Sequence, residues 1–286
     1  MNQSPVTDMH THGDFYKMTL HDDKTLAARR KAMGIDKNKP ASLALIHRKM
    51  DVAGIDRAVV LPVDLPADKG FVSITNKEVA EIEAASDRLI GFASVDPNRK
   101  DAKEVLEQAF TDCKLKGLKL HPVRQAFNPE EERFSWIYQL CEKENKPIVF
   151  HCGLSYGGSG LMTQGHPLRL EPILARHPNL RISIAHCAWP YVKETAALLL
   201  KYPNAYTDTA CLYFDSANEF FQHVFCREME ITWVDRSLRH QIMFGSNYPR
   251  FEQLRMKRAL EHLPLRSSTL DRLFKENAAT FLGGDQ

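Results

Sequence analysis

The sequence has no apolar run approaching the roughly 18 residues that a membrane-spanning helix needs. Its first residues, Met1-Asn2-Gln3-Ser4-Pro5, show neither the basic nor the apolar stretch of a secretory signal, so a cytoplasmic location is expected. Charge of one sign is also lacking. The 38 Lys+Arg against 36 Asp+Glu leave a formal +2, with no basic excess for a nucleic-acid or membrane-surface partner. The six cysteines (Cys113, Cys141, Cys152, Cys187, Cys211 and Cys226) include no CxxC pair, so reduced, mostly buried thiols are expected in place of a disulfide scaffold. There is no internal repeat, no low-complexity segment, and no glycine-rich phosphate fingerprint after any early strand. What is there is ordinary for a globular chain: 43% apolar and 26% charged residues over 286 positions, enough for a sizeable core.

The apolar residues fall into a rhythm. Short β-branched and apolar segments recur at Val6–His12, Arg57–Val63, Leu89–Val95, Gly117–His121, Pro147–Cys152, Arg181–Cys187, Ala205–Thr209 and Gln241–Gly245. Several, such as Ile148-Val149-Phe150, are continuous apolar runs, as suits parallel strands covered on both faces. Helical spacing fills the gaps: Leu43, Ile46, His47 and Met50 with Gly54 as a stop; Val79, Ile82 and Ala85; Val105, Leu106 and Ala109; Phe134, Ile137, Leu140 and Cys141. Leu168–His177, Tyr191–Lys201, Ser216–Arg236, Phe251–His262 and a terminal Leu270–Leu282 complete the series. Eight strands alternating with helices predict an α/β fold, a single (β/α)8 TIM barrel over residues 1–286 with a C-terminal helix, ahead of an open doubly wound sheet. The long connection 13–40, carrying Phe15, Tyr16, His21, Arg29 and Arg30, is expected to be an active-site lid or a solvated insertion.

A barrel keeps its chemistry at the C-terminal ends of its strands. The first strand ends His10-Thr11-His12, the fourth Lys119-Leu120-His121, the fifth Phe150-His151, the sixth Ala185-His186 and the eighth Gly245-Ser246-Asn247. Positions i and i+2 of a strand share a face, so His10 and His12 both project inward. With His151 they make a three-histidine site for one divalent metal, zinc being the ion that such nitrogen ligands favour while leaving a position open for water. The ion would bring that water's pKa to about 7. Lys119 and His121 also share a face, although Leu118 and Leu120 compete for either side. His21, His47, His166, His177, His223, His240 and His262 lie on helices or connections and are assigned no chemistry.

Together these stretches resemble the amidohydrolase superfamily, and within it the amidohydrolase 2 branch of metal-dependent hydrolases. The resemblance rests on Asp8-Met9-His10-Thr11-His12, Gly117-Leu118-Lys119-Leu120-His121-Pro122, Ile148-Val149-Phe150-His151-Cys152-Gly153, Ile184-Ala185-His186, Phe244-Gly245-Ser246-Asn247-Tyr248-Pro249 and Glu276-Asn277-Ala278-Ala279-Thr280-Phe281-Leu282. It spans nearly the whole chain in order. It implies a mononuclear centre with His10, His12 and His151 as ligands and His186 as a ligand or as a hydrogen-bond partner of the water. The branch includes amide, ester and lactone hydrolases and non-oxidative decarboxylases of aromatic or dienoic acids, and one lactonase group resembling it works without a tightly held metal.

The chain departs from that pattern at one position. Where the family ends its eighth strand Gly-Ser-Asp-Tyr-Pro, this sequence has Asn247. The resemblance gives that carboxylate a place on the metal and the task of taking a proton from the attacking water. An amide offers a carbonyl oxygen but no basicity. Three readings are open: an engineered change that traps substrate, a natural residue with proton transfer moved to His186 or the substrate, or a non-catalytic relative that binds a ligand.

The active form is expected to hydrolyse a C–N or C–O bond of a small, carboxylate-bearing substrate, with Lys119 steadying the oxyanion and His186 the water or leaving group. Decarboxylation on the same scaffold is the alternative. Substrate contacts are expected from Arg124, whose guanidinium suits a carboxylate, and from Tyr156, Trp189, Tyr213 and Tyr16, with the run Gly157–Gly160 as a flexible loop or anion cradle. The apolar excess of Ser216–Arg236 (Phe220, Phe221, Val224, Phe225, Met229, Trp233) fits either packing on the barrel or a homo-oligomer interface.

Overall fold

The computed structural model describes residues 5–19, 22–65, 74–157, 160–210 and 214–284. Among them, β1 (Thr7–Thr11), β2 (Arg57–Val60) and β3 (Leu89–Gly91) pair in that order. A second run follows: β4 (Ala93–Ser94), β5 (Leu118–Leu120), β6 (Ile148–Phe150), β7 (Ile182–Ile184), β8 (Ala205–Asp208) and β9 (Ile242–Met243). Every pairing is parallel. The two runs are one ring with a joint. The third expected strand, Leu89–Val95, divides at Phe92, where Phe92 N–H turns to Val60 O (3.2 Å) and Ala93 N–H to Gly117 O (2.8 Å). The ring closes between the eighth and first staves, with Met9 N–H donating to Phe244 O (2.8 Å), Asn247 N–H to His10 O (2.9 Å) and His12 N–H to Tyr248 O (2.9 Å). The fold is a (β/α)8 barrel.

Strand register sorts the core into two layers. Lys119 pairs with Val149, Val149 with Ser183, and Ser183 with Tyr206, which sets these four side chains at one level. Val149 and Tyr206 join Met9, Val59, Leu61, Phe92 and Met243 in the inner cluster. The alternate residues, among them Leu118, Leu120, Ile148, Phe150, Ile182 and Ile184, belong to the larger cluster under the helices. The terminal helix Asn277–Leu282 closes the floor with Phe281, whose ring lies 5.2 Å from that of Tyr206. Above this apolar plug the inner face turns polar.

Two expected helices are broken. Ser216–Arg236 resolves into Ala217–Phe221, the wider π turns Gln222–Glu228 and, after Glu230 reverses the backbone (φ 70°), Ile231–Arg236. Along these segments Phe220, Phe221, Val224, Phe225 and Met229 are buried in the core, and of the six apolar residues Trp233 stays half exposed. Leu270–Leu282 likewise becomes Ser267–Asp271, the π turns Arg272–Glu276 and Asn277–Leu282. No helix among the described residues is long and apolar enough to cross a membrane. Five of the cysteines are free, and Cys211 lies outside the described residues.

The connection after β1 has a structure of its own. The helix α1 (Asp23–Ala32) is capped by Asp22, which accepts from Thr25 N–H. Arg29 is buried and forks onto Glu78 at 2.8 and 3.1 Å. Asn38 Nδ2 donates to Pro249 O (3.0 Å). These ties bring Met33, just past α1, over the C-terminal mouth. His21 lies outside the described residues.

Candidate active site

At that mouth lies a cavity of about 50 Å³, lined by His10, His12, Met33, Val63, Lys119, His121, Arg124, His151, Ser155, Tyr156, His186, Asn247 and Arg250. It brings together residues from the ends of the first, fourth, fifth, sixth and eighth staves. Asp8 underpins it by joining the first stave to the eighth: its carboxylate accepts from Ser246 N–H, Ser246 Oγ and Gln253 Nε2. Burial pushes the Asp8 carboxyl up to about 6.

The histidines are held in a pattern. His10 Nδ1 meets Asp208 Oδ2 at 2.9 Å, His12 Nδ1 meets Leu61 O at 3.1 Å, and His186 Nδ1 meets Ala210 O at 3.1 Å. With each Nδ1 donating, the lone pair left on each ring is at Nε2. His151 is held the other way, through Nε2 to Leu154 O at 3.2 Å, which leaves its lone pair on Nδ1. His121 Nδ1 accepts from Arg124 N–H, and its ring stacks on His151 at 3.7 Å. Ring centres of His10 and His186 are 4.6 Å apart, of His10 and His12 5.3 Å, and of His151 and His186 4.8 Å. Burial foremost, then neighbouring cations and rings, holds all five well below the usual imidazole value, so they stand neutral, as metal ligands or proton acceptors must. His10, His186 and Asp208 form a group able to hold an ion, with ligand atoms within 4.8 Å of one another. His12 and His151 flank that group.

Asn247 Oδ1 stands 3.1 Å from His12 Nε2. A neutral His12 that donates from Nδ1 presents a lone pair at Nε2, and an amide satisfies that atom by turning its N–H2 to it. An aspartate has no hydrogen to give there, and a cation between the two would be needed. Both His186 (φ 63°) and Asn247 (φ 62°) stand in left-handed backbone, the sparsely populated region in which asparagine is among the best tolerated residues.

Lys119 is 1% exposed and its Nζ has no hydrogen-bond partner among the described residues. Burial pushes it down to about 8, against an upward pull from Asp208 and Cys152. An unsatisfied buried donor costs about 1–3 kcal/mol, so Lys119→Met should raise unfolding stability by that amount at pH 7 in urea titrations. The sign follows from the depressed value: the folded state disfavours the ammonium, so the gain is full below about 8 and gone above the ordinary 10.5. Equal or lower stability at pH 7 would show that Lys119 has a partner in solution.

The expected substrate residues divide. Arg124 and Tyr156 line the cavity, and Gly157 lets the Arg124 guanidinium approach, since a Cβ there would come within 2.8 Å of it. Tyr16 is buried against Phe15, and Trp189 packs on Phe214 (5.4 Å); neither lines the cavity. Tyr213, and Gly158 and Ser159 of the loop run, lie outside the described residues. Among the groups not anticipated are Met33 and Arg250 in the cavity lining, where Arg250 Nη2 donates to Met33 O at 2.6 Å, and Asp208 behind His10. An acidic residue closing the seventh strand was the available signal for Asp208, and a cation three residues past Asn247 the signal for Arg250.

A closed barrel with neutral imidazoles and cations gathered at the C-terminal strand ends defines a class of barrels with a polar, histidine-lined mouth. The family profile described as amidohydrolase matches residues 8–284, and the chain belongs to that family. Among solved structures, an uncharacterized TIM-barrel protein from Bordetella bronchiseptica is 18% identical, with a TM-score of 0.77 over 97% of this chain and 98% of that one. A dihydroxybenzoic acid decarboxylase from a Polaromonas species, with bound manganese and the inhibitor 2-nitroresorcinol, is 14% identical, with a TM-score of 0.64 over 99% and 97%. A probable 2-pyrone-4,6-dicarboxylic acid hydrolase from Acinetobacter baumannii, with citric acid bound, is 14% identical, with a TM-score of 0.63 over 98% and 99%. These likenesses concern the fold. Protein fluG of Emericella nidulans is 33% identical over 64 residues, and the match spans 22% of this chain and 7% of that protein's length.

Proposed function

We propose that the chain is a metal-dependent hydrolase of a small, carboxylate-bearing ester, lactone or amide. The observation that carries this is the cavity lining: Lys119, Arg124, Arg250 and five histidines, with no carboxylate among the described residues that line it. Such a cavity is an electrostatic hole for an anion, and two guanidiniums suit a carboxylate by their forked geometry. The substrate named for the pyrone hydrolase relative is a carboxylic acid of this kind.

His10 and His186 fit a divalent ion as donors, because each keeps its Nε2 lone pair while Nδ1 is anchored, and His12, anchored the same way, would join them once the Asn247 amide turned from its Nε2. This set replaces His151 of the ligand trio expected from the strand spacing with His186. Zinc suits three imidazoles, and when bound the ion supplies Lewis acidity toward water and carbonyl oxygen. Arg124 and Arg250 bind and orient the substrate carboxylate. The Lys119 ammonium donates to the oxygen on which charge develops. His151 Nδ1, with its lone pair free, takes the proton that water gives up.

Decarboxylation is the second reading, favoured by the lack of a carboxylate base among the lining residues and by the decarboxylase likeness. A panel of carboxylated lactones, esters and hydroxybenzoates separates the two, with acid release and CO2 release recorded on the same samples before and after chelation. Acid release that chelation abolishes and zinc restores is the expected result. CO2 as the product transfers the site to decarboxylation, and turnover of nothing by metal-loaded protein leaves a ligand-binding relative.

A further inference from the structure

Asp208 ends β8, is 1% exposed, and spends both of its carboxylate oxygens on the histidine cluster. Oδ2 accepts from His10 Nδ1 at 2.9 Å, while Oδ1 accepts from the backbone N–H of His186 at 2.9 Å and of Ala210 at 3.1 Å. We infer that Asp208 is the positioning carboxylate of the metal centre, acting through His10 and His186 and supplying from the seventh strand the negative charge that the eighth strand, ending in Asn247, does not.

Three observations carry this. A carboxylate has about four lone-pair sites, and three of those of Asp208 are occupied by donors within the chain, so its geometry is that of a group that holds ligands. Its bond to His10 fixes the ring with the proton on Nδ1 and the lone pair on Nε2. A carboxylate behind an imidazole also makes that ring the more basic donor, and such partners are worth about 10–100-fold in metal affinity. Its other oxygen takes the N–H of a residue in left-handed backbone (φ 63°) and so sets where the His186 ring stands relative to His10, 4.6 Å away centre to centre. Among the described residues it is the carboxylate bonded to a side chain of the cavity histidines. One acidic side chain thus aligns two donors, from the first and sixth staves.

The inference rests on the metal-dependent reading, and the experiment keeps the two apart. Zinc alone and cobalt(II) alone are titrated into metal-free wild type, Asp208→Asn and Asn247→Asp, with visible absorption recorded on the cobalt-loaded samples. Asp208→Asn should bind zinc about 10–100-fold more weakly and show a displaced cobalt spectrum, whereas Asn247→Asp should bind at least as tightly as wild type. Wild-type affinity and spectrum in a folded Asp208→Asn would overturn the inference and leave the metal reading standing. Failure of wild type to bind either ion overturns the metal reading and the inference with it. If Asp208→Asn does not fold, nitrogen-15 spectra of the wild-type histidines decide: a His10 signal, assigned by its loss in His10→Asn, should report Nδ1–H and a zinc-bound Nε2. The opposite tautomer would overturn the inference.

Discussion

Replacing Asn247 with aspartate should raise turnover about 10²–10⁴-fold, the range a positioned general base contributes. The position is already aimed: Asn247 is 1% exposed and its side chain reaches to 3.1 Å from His12 Nε2. An amide there caps the His12 lone pair, whereas a carboxylate stabilises a cation on that lone pair and adds a proton acceptor beside it. Metal should therefore be held more tightly in Asn247→Asp even as kcat rises. The check is kcat on the best substrate of the panel, with zinc content measured on both proteins. Equal turnover with zinc bound in both would mean that the reaction never used a carboxylate at this position and that asparagine belongs to the working site.

His151→Asn should lower turnover by a comparable factor of about 10²–10⁴ and yet keep its zinc. His186→Asn should lose the zinc. The asymmetry comes from anchoring: His186 is tied through Nδ1 to Ala210 O and offers Nε2, while His151 is tied through Nε2 to Leu154 O and offers Nδ1. Zinc content after dialysis, measured beside kcat, separates the roles. Should His151→Asn come out empty and His186→Asn loaded, the trio His10, His12 and His151 holds the ion and His186 handles the proton. In an Asn247→Asp background, loss of His151 should cost less, because two acceptors within one site do not act additively.

The barrel was legible because parallel strands buried on both faces must be apolar throughout, and Ile148–Phe150 and Ile182–Ile184 advertise that in their composition. The shared face of His10 with His12, and of Lys119 with His121, followed from the two-residue period of a strand, although for the second pair that period left open which side it faced. What escaped had no such signature. The division at Phe92 depends on which neighbour each N–H finds, and the breaks in the helices near Glu230 and Arg272 on how wide turns seat Phe225 and Phe274. The tautomers of His12 and His186 are set by the carbonyls of Leu61 and Ala210, backbone groups that every residue carries. Arg250 reaches the cavity because the turn after Asn247 sends its side chain to Met33, a partner more than two hundred residues distant in the chain.

That contact has a consequence for selectivity. Arg250 is bonded to the carbonyl of Met33, Arg124 reaches the carbonyl of Ala32 and the Met33 sulfur, and the space beneath is about 50 Å³, far below the roughly 300 Å³ at which ligand pockets begin. The end of α1 therefore behaves as a resident competitor tethered to the protein. Its carbonyls are neutral acceptors, so their bonds to the guanidiniums carry charge on the donor alone, whereas a carboxylate would carry it on both partners and could bind bidentately. For the proposed carboxylate substrate, admission to the chemistry would itself be a charge-discriminating exchange, settled before any bond of the substrate is touched.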